Sequence, residues 1–237
     1  MALIGKLKTK ESRFKSLEDK AQKNGLYHAI YSPNGDSYTG EWLSDLRHGY
    51  GTQVWKRDGV RYEGEWKRDG RDGFGTLYRR QPPTQMYSKV YFGGWRDDKK
   101  DGFGTYFYSD AARYEGMWVQ NERSEFGKMM YENGDVYEGE WFRDKPHGQG
   151  VLVLRNGNRY EGYMKDGKKH GHGRFIYKDK CQVYEGFWEN DFPTSGTMSD
   201  VDHAKPVETP EQKTPLDLQD TEALLMHRLG RFLPSEK

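Results

Sequence analysis

The sequence predicts a mainly β protein: an extended single-layer antiparallel meander of stacked β-hairpins, with short flanking helices. Three observations predict it. A block of about 23 residues recurs along most of the chain, all blocks but one open on an aromatic-x-Gly-x-aromatic run, and most turn through a polar-Gly-x-Gly segment, several ending near an Asn-Gly or Asp-Gly pair. A fixed period of this length marks a repeat architecture, and such arrays offer surface rather than enclose a reaction centre.

Taken in order, residues 1–24 form a basic segment in which Ser12–Lys23 is predicted as a short helix stopped by Asn24-Gly25. Residues 25–197 are the array: a half repeat at His28–Tyr31, six full repeats and a degenerate seventh. The aromatic openings pair Tyr38 with Trp42, Tyr62 with Trp66, Tyr91 with Trp95, Tyr114 with Trp118, Tyr137 with Trp141, Tyr160 with Met164 and Tyr184 with Trp188. Their central glycines are Gly40, Gly64, Gly93, Gly116, Gly139, Gly162 and Gly186, and the tyrosines are spaced 24, 29, 23, 23, 23 and 24 residues apart.

Within a block the side chains alternate with period two, so Tyr137, Gly139 and Trp141 share one face and Glu138 and Glu140 the other. Arg143–Gly148 is predicted as the turn and Gly150–Leu154 as the return strand. Asn156-Gly157 then supplies a tight hairpin turn, a place taken elsewhere by Asn34-Gly35, Asp58-Gly59 and Asn133-Gly134. Equivalent tyrosines should lie roughly 9.6 Å apart and the whole array should extend roughly 65 Å. The opening glycines are expected to leave room for a neighbouring aromatic ring. The Tyr/Trp ladder has two compatible readings, as the core and as partly exposed rings that dock a partner.

Irregular blocks stand out. The second carries a longer turn, Arg79–Lys89, the fourth puts Glu125 where others have the first turn glycine, and the sixth puts Met164 for Trp. The seventh reads Phe192-Pro-Thr-Ser-Gly196, as a terminal cap would. Residues 198–213 are read as a polar linker. In 214–237, Thr214-Pro215 starts a helix whose stripe of Leu218, Leu225, Leu229 and Phe232 either folds back on the sheet or docks a partner.

Composition bounds the function. Only 33% of the 237 residues are hydrophobic, against 29 glycines, which is too little aliphatic mass for a thick two-layer interior. The net charge of +1 supplies no field for nucleic acid. One cysteine, Cys181, excludes an internal disulfide framework and is expected to be a small packed side chain. Met1-Ala-Leu-Ile-Gly lacks the apolar stretch of a secretory signal, and the expectation is a soluble intracellular protein. Gly-x4-Gly runs such as Gly134–Gly139 lack the Lys-Ser/Thr of a phosphate loop. His48, His147 and His170 share a position that Asp72 and Asp101 fill elsewhere, so polar turn residues explain them better than a metal does. No nucleophile–base pair stands apart; no catalytic, metal or cofactor residue is expected.

Tyr-Glu-Gly-Glu-Trp, followed by Lys-x-x-x-His/Asp-Gly-x-Gly and a short strand ending in Asn-Gly, resembles the MORN repeat, over about residues 25–197. The resemblance implies a non-enzymatic protein-interaction scaffold whose partners are axonemal or sperm cytoskeletal proteins. The implied places are a cilium, a flagellar axoneme or a developing sperm. It also implies an alternative, a peripheral phospholipid-binding module at a membrane such as the acrosomal vesicle. The residues supporting that alternative are Lys6, Lys8, Lys10, Arg13 and Lys15, with Lys99-Lys100 and Lys168-Lys169 in the turns. Family arrays are also found fused to lipid kinase or methyltransferase domains, and nothing outside residues 25–197 is long enough to be one.

Overall fold

The computed structural model describes residues 21–200. The basic segment to residue 20, the chain beyond residue 200 and the stripe of Leu218, Leu225, Leu229 and Phe232 lie outside the described residues. In chain order the strands are β1 (Gly25–Tyr31), β2 (Ser37–Leu43), β3 (Leu46–Trp55), β4 (Val60–Lys67) and β5 (Gly70–Gln81). They continue with β6 (Met86–Arg96), β7 (Lys99–Phe107), β8 (Arg113–Val119), β9 (Glu122–Met130) and β10 (Val136–Phe142). The last are β11 (Lys145–Val153), β12 (Arg159–Lys165), β13 (Lys168–Tyr177), β14 (Gln182–Glu189) and β15 (Phe192–Asp200). All 15 join one open sheet in which each strand pairs antiparallel with its sequence neighbours. Even-numbered strands carry the aromatic openings and odd-numbered strands return.

The expected faces hold: along β10, Tyr137, Gly139 and Trp141 are buried while their neighbours are exposed or half-buried. The turns differ from the reading above. Arg143–Gly148 is not a turn; the chain reverses over Arg143-Asp144 alone, and β11 already begins at Lys145. Both turn residues have positive φ, 48° and 66°. That is the two-residue arrangement whose twist matches the sheet. Ser44-Asp45, Arg68-Asp69, Asp97-Asp98, Gln120-Asn121, Asp166-Gly167 and Asn190-Asp191 repeat it. Asp and Asn tolerate this region because their short polar side chains bond locally, which is why the sequence disguised the reversal as a polar, strand-flanked stretch.

The polar-Gly-x-Gly segment is instead a bulge. Between the Gly139–Gly150 and Trp141–Pro146 pairs, two residues of β10 span four of β11. At the Asn-Gly ends only the glycine has positive φ; Gly35 N–H donates to the Ser32 carbonyl and Ser32 N–H to the Asp36 carbonyl, closing a wider loop than a two-residue turn. Most of the expected Arg79–Lys89 turn is strand: Gln81 pairs with Met86 and only residues 82–85 lie between. β15 runs to Asp200, three residues past the expected end of the array.

One glycine in every strand from β2 to β15 falls in a single row, Gly40 beside Gly51, Gly51 beside Gly64 and so on to Gly186 beside Gly196. A Cβ at Gly51, Gly75, Gly104, Gly127, Gly150 or Gly173 would fall inside a tyrosine ring. The ring belongs to the tyrosine of the same hairpin, correcting the expectation of a neighbouring ring: Tyr137 lies across Gly139 and Gly150. Bare backbone lets the ring lie flat on the sheet, so one layer of strands buries Tyr62, Tyr91 and Tyr160 completely. Burial of an aromatic ring on this scale contributes about 2–3 kcal/mol.

Candidate interaction surface

The ladder side chains are locked as well as buried. The hydroxyls of Tyr38, Tyr62, Tyr91, Tyr114, Tyr137 and Tyr160 each donate to the backbone carbonyl three residues on, at 2.9 to 3.1 Å. Burial pushes these phenols up, Tyr160 to about 12 and the others beyond the usual phenol range. Trp66, Trp95, Trp118, Trp141 and Trp188 reach back across the junction, each indole N–H donating to a glycine carbonyl of the preceding return strand. Trp42 has no such partner. Tyrosine and tryptophan rings meet edge to face, 5.1 Å within the Tyr62 hairpin and 5.5 Å from Tyr62 to the next one's Trp95. This geometry suits the ring quadrupoles.

A cation covers each ladder tryptophan. Arg47 stacks on Trp66 at 4.2 Å, Arg71 on Trp95 at 4.2 Å, Lys100 on Trp118 at 3.9 Å and Arg123 on Trp141 at 4.5 Å. The same residue is gripped by the next turn: Asp69 accepts from Arg47 N–H and Nε, and donates its own N–H to the Arg47 carbonyl. Asp98 grips Arg71 and Asp144 grips Arg123 in the same way. Partial burial works to raise the Asp98 carboxyl, but the Arg71 bonds outweigh it and hold it below the usual carboxylate range. At Lys100 the turn residue is Asn121, and burial pushes the ammonium down to about 8. Such turn clamps were not legible as pairs, because their members lie 21 to 27 residues apart and look like ordinary surface charge.

This engagement covers part of the basic turn set that a lipid surface would use. Lys169 pairs with Asp191 at 3.5 Å, and Lys99 donates to Gln120. Lys6, Lys8, Lys10, Arg13 and Lys15 lie outside the described residues. Among the described residues no group of His, Cys, Asp and Glu is placed to hold a metal, and no helix is long and apolar enough to cross a membrane. Cys181 is half-buried, its thiol directed at the Lys178 carbonyl.

The opposite face is the accessible one. Three of its glutamates do more than repeat with the fold: Glu140 accepts the Gln149 N–H at 3.0 Å and covers Gly148 in the bulge, as Glu65 does for Phe74 and Gly73 and Glu41 for Tyr50 and Gly49. Where the opening has Met117 in place of that glutamate, the bulge residue is Glu125, at φ 56°. Apolar side chains also stand free on it: Leu43, Tyr50, Phe142 and Phe187 are each about half exposed. They follow a ladder tryptophan or alternate with the row glycines, so alternation alone would have put them opposite the rings. The ladder residues, by contrast, have little ring surface left to offer, apart from half-buried Trp42 and Tyr184 at the ends.

A model of the MORN repeat matches residues 38–60, 62–80, 91–113, 114–136, 137–159 and 160–182, stopping before the block that opens at Tyr184. The chain is 55% identical over 200 residues to "MORN repeat-containing protein 3" of Xenopus laevis, covering 84% of each. It is 52% identical over 42 residues to the protein of that name in Mus musculus, 18% of this chain and 17% of that one. With the Homo sapiens protein the figures are 48% over 44 residues, 19% and 18%.

Proposed function

This chain belongs to the MORN repeat family, and from that premise we propose that it is a non-catalytic protein-interaction scaffold, working in a cilium, a flagellar axoneme or a developing sperm. The observation that carries the scaffold reading is how the polar groups are spent. Tyrosine hydroxyls, indole N–H groups, clamp cations and bulge glutamates all bind the sheet to itself, leaving a rigid surface with free apolar side chains on one face. Elongated repeat sheets suit the assembly of other proteins along them. The compartment rests on the family resemblance. Partner contact through Leu218, Leu225, Leu229 and Phe232 is part of the proposal, as an apolar stripe at helical spacing suits a groove.

Proximity labelling from the tagged chain in ciliated or spermatogenic cells tests it. A reproducible set of axonemal or cytoskeletal proteins is expected, reduced by Leu225→Asp with Leu229→Asp; diffuse labelling without an enriched set would refute it. Liposome flotation separates the lipid alternative, since a scaffold should not float with anionic vesicles in a salt-sensitive manner.

A further inference from the structure

The two edges of the sheet are not equivalent. Among the described residues β1 and β15 are the edge strands, and both are return strands, so no described strand fills the side on which an opening strand would sit. At the β1 edge the row position is Tyr27, paired with Gly40, where every later strand has glycine. A preceding opening strand would have to lay its tyrosine ring over that position, and the Tyr27 Cβ occupies the space the ring needs. This edge is closed to a further repeat.

The β15 edge retains what an opening strand uses. The row glycine Gly196 is present, opposite Gly186. The carbonyls of its equivalents Gly51, Gly75, Gly104, Gly127 and Gly173 each accept an indole N–H from the following strand. Tyr184 is left half-buried, touching Trp188 alone at 5.4 Å, whereas Tyr38, Tyr62, Tyr91 and Tyr114 each lie between two tryptophans. Its hydroxyl does not take the Phe187 carbonyl; Thr194 does. Every residue of β15 is exposed. Pro193 cannot offer the N–H that a following turn would grip, but Pro146 shows that a junction forms without it. A single added strand brings no turn to be gripped.

We propose that β15 is an acceptor edge for one strand of the form aromatic-x-Gly-x-Trp, contributed by another protein. Six junctions inside the chain show what covers this surface: an opening strand, from β4 through β14. A second copy has none to spare, because all its opening strands are paired on both sides. Residues 1–20 and 201–237 contain no Tyr or Trp. The added strand extends the ladder hydrogen bonds, stacks its tryptophan on Tyr184 and donates the indole N–H to the Gly196 carbonyl.

The inference names a partner class for the scaffold reading and rests on it, but its test is separate. A fluorescein-labelled peptide copying residues 135–143 is titrated into the full chain and followed by polarisation, with hydrogen exchange to map the contact. Saturable binding that protects amides within residues 194–200 is expected. Replacing the peptide's tryptophan by alanine, or its glycine by valine, should weaken binding at least tenfold. In the chain, Gly196→Val should do the same, and Tyr27→Gly should leave the protection within residues 194–200 unchanged. Absence of saturable binding, equal binding of the peptide variants, or protection at β1 would overturn the proposal. Should Gly196→Val melt the array, the peptide variants alone decide. A negative result here with an enriched proximity set removes the acceptor edge and leaves the scaffold; an empty proximity set removes the scaffold whatever the peptide does.

Discussion

The junction between β9 and β10 and the junction between β11 and β12 solve one problem differently. At the first, Trp141 donates to Gly127, Arg123 stacks on the indole, and Asp144 grips Arg123 from the turn at 2.9 and 3.0 Å. At the second, the same three places hold Met164, Pro146 and Gly167. No indole, cation or carboxylate remains there, and only the Gly167 N–H to Pro146 carbonyl bond survives from the clamp. Yet the strands pair from Gly148–Met164 to Val153–Arg159 in unbroken register, and Tyr137 and Tyr160 stay buried on either side. Strand pairing and tyrosine-on-glycine packing therefore suffice to continue the sheet. The clamp of tryptophan, cation and turn residue is a second layer of stabilisation, and the β11–β12 junction replaces all three of its members.

The largest expected effect strikes what both junctions share. The buried tyrosines stay protonated when folded and ionise near their ordinary value of 10 when unfolded, so their stabilisation is complete below about pH 10 and declines above it. With several tyrosines acting together, the loss should reach several kcal/mol over about two pH units. Alkaline denaturation followed by far-UV circular dichroism should show a steep cooperative transition above about pH 10. A flat profile to pH 12 would mean the rings are not the core. Next, Gly150→Val drives a branched side chain into the Tyr137 ring and should cost about 3 kcal/mol or more in denaturant melts.

Two smaller tests separate the junctions. Asp144→Gly removes charge-assisted bonds to Arg123 and should cost about 1–2 kcal/mol. Its mirror, Gly167→Asp, has no basic side chain or N–H to meet at Pro146, so it should gain less than about 0.5 kcal/mol. Pro146→Arg, Gly167→Asp and Met164→Trp together should be more stable than the separate changes predict. Additivity would show that the clamp is three independent contacts. Last, Glu125→Gly should stabilise by about 1 kcal/mol, because it frees a non-glycine residue from a left-handed conformation that Gly49, Gly73, Gly102, Gly148 and Gly171 adopt in other blocks. Melting curves for the variant check it, and destabilisation would point to an unseen contact of the Glu125 side chain.

Much of this could be read in the chain beforehand, and the parts that could not have physical reasons. Period-two alternation places Tyr137, Gly139 and Trp141 on one face whatever the fold around them, so the faces and the meander were legible. Arg143-Asp144 was not, because a reversal made by two non-glycine residues carries no compositional flag. Nor was the role of Glu140, since a carboxylate bonding the N–H of Gln149 nine residues away looks like any solvated glutamate until the bulge brings the two together.

The sequence by itself determined the period, the face of each aromatic and the single-layer meander, because those follow from local alternation and from glycine spacing. Only the tertiary structure decided which ring covers which glycine, that Arg123 is held by Asp144, and that Gly196 faces an open edge while Tyr27 shuts the other. These are contacts across strands. Their partners are chosen by register, and register is fixed only when bulge, turn and ring packing act at once.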